Sequence, residues 1–164
     1  MTTRRLAATA LALLTSVTAA AAQAEHAAVI DWSRWDALLR AHVVDGHVDY
    51  DAIAGDPGFS ATVADIASTD VSGHDRDTVL AFYINAYNVL SVKGILDGHS
   101  PKKGLGRLRF FYRIKYQVAG ETMTLNKLEH GLIRPLGEPR IHFAIVCSSA
   151  SCPPLRSEAY SVEA

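Results

Sequence analysis

The run from Asp75 to Leu96, "DRDTVLAFYINAYNVLSVKGIL", constrains the fold more than any other part of the chain. Val79, Leu80, Phe82, Tyr83, Ala86, Tyr87, Val89, Leu90, Ile95 and Leu96 cover more than half the circumference of a helix. A helix this apolar must be buried, so the other elements have to pack around it. Buried with it are Asn85 and Asn88. An unpartnered buried amide costs about 1–3 kcal/mol, so both need partners, and buried backbone groups are the simplest ones. Gly98 and Pro101 close the helix.

On the N-terminal side, Trp32, Trp35, Leu38, Leu39 and Val43 predict one face of a helix over Trp32–Val44, with Asp31 as cap. Asp45-Gly46 ends it, and His47–Tyr50 is a short extended piece. The Asp56-Pro57-Gly58 turn starts a short helix over Ser60–Ala67. After the central helix, Phe110, Phe111, Tyr112, Ile114, Tyr116 and Val118 favour extended chain. Ala119-Gly120-Glu121 is a turn, and Thr122-Met123 returns as a strand. Thr124 or Asn126 caps a helix through Ile133, Asn126 with Glu129 in a capping-box spacing. Ile141–Val146, apolar apart from His142, reads as a central strand. Together these predict a helix-rich α+β single domain with a small antiparallel or mixed sheet. No repeat or linker divides it.

Hydrophobic residues make up 49% and charged residues 20% of the 164, a globular composition. Part of the apolar content is local. Residues 1–24 hold Arg4 and Arg5, the run Leu6–Val17, and a small-residue end, Ala22-Gln23-Ala24. That is the layout of a secretory signal peptide, so cleavage is expected after Ala24, leaving a domain over 25–164 in the periplasm or outside the cell. The run is short for a membrane span, so no span is expected once the leader is removed. The formal charge is −1 for the whole chain; the leader carries two arginines and no acid, so its removal leaves −3. This excludes the broad basic surface of a nucleic-acid binder. Lys102, Lys103, Arg107, Arg109, Arg113 and Lys115 form the one basic region, read most simply as a solvated loop and strand face.

Three segments, "AFYINAYNVLSVKGIL", "TLNKLEHGLIR" and "RIHFAIVCSSASCPPL", follow one another in the order and spacing of the domain of unknown function 547 family, and "GHVDYDAI" resembles its opening segment. The resemblance runs from about Trp35 to Tyr160. It implies an exported bacterial protein. Relatives that join this domain to glutaredoxin-like modules hint at thiol chemistry. The family's polar positions fall here on Asn85, Asn88, Glu129, His130, Arg134, Arg140, His142, Cys147, Ser149 and Cys152. Members of the family run on through further helices past the segment that ends near Tyr160, whereas this sequence stops at Ala164. An incomplete C-terminal side is therefore expected.

Cys147 and Cys152 are the only cysteines. The leading reading is a thiol-dependent hydrolase or transferase with Cys147 as nucleophile, presented at a strand end. A thiolate needs its pKa drawn below about 8.5, which an imidazolium can do. His130 and His142 are the candidates, with Glu129 or Asn85 to orient the ring. Five residues along an ideal strand put His142 and Cys147 on opposite faces, which favours His130. Glu129 and His130, adjacent on a helix, should then diverge, with Glu129 inward towards Asn88 or Arg140. The alternative is a non-catalytic periplasmic binding or interaction domain for a small molecule or protein. There a structural or redox-active Cys147–Cys152 disulfide pins a loop, and Arg140, Arg134 and Asn88 hold the ligand. His130, His142, Cys147 and Cys152 have zinc-compatible chemistry but no standard ligand spacing, so neither a metal nor a cofactor is expected.

Overall fold

A computed structural model of the chain describes residues 29–102, 104–146 and 152–162. The signal peptide expected over 1–24, Cys147 and Ser149 lie outside the described residues. The domain is a helix-rich α+β fold. Helix α1 (Ser33–His42) leads into the hairpin of β1 (Val43–Val44) and β2 (His47–Val48). Helices α2 (Tyr50–Gly55) and α3 (Pro57–Ser68) precede the long α4 (Arg76–Leu96). Helix α5 (Gly104–Tyr112) is followed by a second hairpin, β3 (Tyr116–Val118) and β4 (Glu121–Met123). A single turn, α6 (Leu125–Lys127), runs into a π-helix over Leu128–Ile133. Two 3₁₀ segments then follow, Arg134–Leu136 and Pro139–Phe143.

Helix α4 is the axis of the core, buried from Leu80 to Val92. It is the one helix among the described residues long and apolar enough to cross a membrane, and here protein surrounds it. Asp75 starts it by accepting from the backbone N–H groups of Asp77 and Thr78 and from the Thr78 hydroxyl. Trp35, Leu38 and Leu39 of α1 and Phe59 and Ile66 of α3 join the core on one side. On the other side Phe110, Phe111, Tyr116, Leu128 and Ile133 close over it. At Gly94 a Cβ would stand 2.7 Å from both Phe110 Cε2 and the Tyr116 hydroxyl, so only glycine lets α4 and these rings meet.

Among the described residues the sheet content is two separate antiparallel hairpins with no strand between them. Each turns through two residues of positive φ, Asp45-Gly46 (50° and 76°) and Ala119-Gly120 (51° and 77°). This is the tight turn whose twist matches a hairpin. The second tip docks on the end of α3, where the Ala119 and Gly120 N–H groups donate to the carbonyls of Ile66 and Ala67.

Several segments depart from the sequence expectation. The first helix stops at His42, and Val43–Val44 pairs as a strand, while Tyr50 opens a short helix and does not continue the extended piece. Phe110–Tyr112 is helical, because both phenylalanine rings bury against the core from one side of a helix. That packing overrides their extended preference. Of the basic region, Arg107 and Arg109 therefore lie on a helix, while Lys102, Arg113 and Lys115 lie in the bend, turn and loop on either side of it. Ile141–Val146 is not a strand. Pro139 starts a 3₁₀ helix, Glu138 caps it by accepting from Arg140 N–H, and Ile141, Ala144 and Ile145 are buried while His142 and Phe143 face solvent. Burial at positions i, i+3 and i+4 is a helical pattern.

Candidate functional site

A cleft of about 490 Å³ opens between α4, α5, the π-helix and the 3₁₀ segment that begins at Pro139. Tyr87, Arg107, Asn126, Glu129, His130, Arg134, His142 and Cys152 contribute its polar groups, and Phe111, Tyr112, Ile145 and Pro153 the rest of its wall. The π-helix explains why Glu129, His130 and Arg134 all reach it. Its i→i+5 bonding widens the turn, and Arg134 N–H donates to the Glu129 carbonyl. Glu129 and His130 therefore line the same cleft and do not diverge. Glu129 sits deep, its side chain 17% exposed, while His130 stands half-exposed at the rim with Nε2 3.8 Å from Glu129 Oε1.

Glu129 is the hub. Arg134 donates to its Oε1 through Nε (3.1 Å) and a terminal nitrogen (2.7 Å), a charge-assisted pair with an ordinary geometry. The Tyr87 hydroxyl donates to Oε2 over a long 3.4 Å. Burial pushes the Tyr87 phenol far up, and the Glu129 charge pushes it in the same direction, so it stays a donor. Glu129 turns to neither Asn88 nor Arg140. Arg107 lies over the Phe111 ring, 5.8 Å from its centroid, and among the described residues it forms no ion pair.

The two buried asparagines do structural work away from this cleft. Asn85 Nδ2 donates to the Tyr160 carbonyl and its Oδ1 accepts from Tyr160 N–H. Asn88 does the same with the Ala144 carbonyl and Val146 N–H. Each amide thus replaces a strand neighbour for a chain segment that has none. Arg140 also lies elsewhere, 80% exposed and held by both Glu138 oxygens, on a separate cleft of about 400 Å³ with Arg76, Arg156 and Tyr160.

Cys152 and Pro153 form a wall between the polar cleft and a smaller cavity of about 180 Å³. The Ser91 hydroxyl, buried and without a partner among the described residues, lies on that smaller cavity. The segment is braced from behind, since a Cβ on Gly46 would meet Pro154 Cβ at 2.5 Å. No described cysteine is a free thiol, and Cys152 has an interaction partner. Among the described residues no group of three or more His, Cys, Asp or Glu is placed to hold a metal ion.

The cleft thus gathers Glu129, His130, Arg134, His142 and Cys152 from the expected residues, and leaves out Asn85, Asn88 and Arg140. Arg107 and Tyr87 had no place in the expected site. Arg107 was visible as part of a basic region whose helical form was not, and Tyr87 read as a core aromatic, which it also is.

Fold and cleft together define a helix-rich α+β domain with a preformed polar cavity. Over residues 71–164, more than half its length, the chain matches the family model described as "Protein of unknown function, DUF547", and it belongs to that family. No curated protein and no solved structure matches it.

Proposed function

We propose that this is an exported domain that binds a small anionic molecule, a carboxylate or phosphate, in the Glu129–Arg134 cleft. The observation that carries the reading is the charge arrangement there. Two guanidinium groups, Arg107 and Arg134, face a single carboxylate, and His130 and His142 add further nitrogen donors. Glu129 fixes the Arg134 plane, and Phe111 supports that of Arg107. Guanidinium groups held in this way are suited to planar or tetrahedral oxyanions. The volume falls in the range of small-ligand sites, about 300–1,000 Å³. Export rests on the leader-like residues 1–24, and in an oxidising compartment a Cys147–Cys152 disulfide is the pairing this reading adopts. It would pin the segment that walls the cleft.

The rival reading makes Cys147 a nucleophile beside His130 or His142. It needs a standing thiolate. Cys152, the one described cysteine, is not a free thiol, and pairing it with Cys147 would leave no thiolate for that reading. The test is a thermal-shift and calorimetric titration with inorganic phosphate and with malonate, on the parent protein and on Arg107→Gln. Saturable stabilisation of the parent, weakened about tenfold in Arg107→Gln, is expected for loss of one charge-assisted contact. No response to either anion, or an equal response in both proteins, would refute the assignment.

A further inference from the structure

Helix α5 presents an apolar face that no other described element covers. Leu105 is 84%, Leu108 47% and Tyr112 53% exposed. At about 100° per residue these three fall within one arc, with the buried Phe110 on the opposite side and the buried Phe111 at its edge next to Leu108. Arg109 borders that arc. Arg113 continues it, because its N–H donates to the Arg109 carbonyl and extends the helical turn. The stretch from Gly98 to Lys115 carries six lysines and arginines and no acid. Among the described residues, Lys102, Arg107, Arg109, Arg113 and Lys115 have no ion-pair partner.

We propose that the outer face of α5 is a peripheral membrane-binding surface that seats on an anionic lipid headgroup layer. Leu105 and Leu108 project from a convex helix and line none of the clefts described, while Tyr112 stands at the rim of the Glu129–Arg134 cleft, so a soft layer suits the two leucines better than a shaped partner surface. Leucines enter the acyl boundary, tyrosine rests at headgroup level, and the flanking cations meet lipid phosphate. The unpaired cations select an anionic surface over a neutral one. With only three exposed apolar side chains on nine helical residues, attachment is reversible. This inference does not rest on the ligand assigned to the cleft.

Vesicle co-sedimentation of the full chain tests it. The vesicles are phosphatidylcholine alone, or with about 30% phosphatidylglycerol, at about 0.1 M and about 1 M salt. The proteins are the parent, Leu105→Ser/Leu108→Ser and Arg109→Gln/Arg113→Gln, none of which alters a cleft residue. The apolar leader-like segment is common to all three, so differences between them report α5. Binding to anionic vesicles that falls at least tenfold in each variant, and with salt in the parent, is expected, with circular dichroism unchanged. Parent binding that is absent, indifferent to charge, or equal in the variants would overturn the proposal. Self-association lost in Leu105→Ser/Leu108→Ser would assign the face to a second copy, and capture by polyglutamate without vesicle binding to an acidic protein. Either would overturn it too.

Discussion

Asn88 and Asn85 each satisfy one backbone donor and one backbone acceptor, and both amides are buried. Asn88→Ala strands both groups of the 144–146 segment, so a loss of about 2–4 kcal/mol is expected from urea unfolding. A loss below about 0.5 kcal/mol would mean that water takes over both bonds. A second residue-scale expectation concerns acid. The Arg140 guanidinium and backbone N–H hold the Glu138 carboxyl down at about 2, from an ordinary 4.5. Folding stability from this group is therefore full above about pH 4.5 and lost as pH falls towards 2. Glu138→Gln should flatten the fall of melting temperature with pH in that window, and an unchanged slope would show the pair contributes nothing. The need for partners at Asn85 and Asn88 was legible in the sequence, because a buried amide has few options. The identity of Glu129's partner was not. It depends on a π-helix, and nothing in "LEHGLI" distinguishes a π turn from an α turn.

At the scale of elements, the α4 helix and the turn of the second hairpin could be read from periodicity and turn residues, whereas Asp45-Gly46 read only as a helix end and the first hairpin did not show. The 3₁₀ segment over Pro139–Phe143 could not be read either, because a short apolar run fits a buried strand and a 3₁₀ segment equally well. Pro139 and the exposure of His142 decide it only in the fold. The α5 error had the same origin, since aromatic side chains favour strands until a core asks for them on one side of a helix. The second hairpin carries a testable flaw. Ala119 sits at φ 51°, a region that disfavours a side chain by about 1–2 kcal/mol. Ala119→Gly keeps the N–H bond to Ile66, relieves the strain, and frees the unfolded chain somewhat. A net gain of about 0.5–1 kcal/mol is expected in thermal unfolding. A loss would show that the alanine methyl packs better than its backbone suffers.

At the scale of the molecule, one buried helix organises everything else. Its asparagines hold the 144–146 and Tyr160 segments, Tyr87 reaches Glu129, and Gly94 admits Phe110 and Tyr116. The helix-rich α+β class followed from that helix and from the turn residues around it. The cleft did not, because it draws Arg107 from one element and Glu129, Arg134 and His142 from three others. Such convergence has no signature in spacing along the chain. The division between a binding domain and a thiol enzyme turns on the two sulfurs. The decisive measurement is the intact mass of the protein, purified without reductant, after alkylation under denaturing conditions, with and without prior reduction. No alkyl adduct without reductant and two after reduction is the expected result; two adducts without reductant would contradict the binding reading and restore Cys147 as a nucleophile.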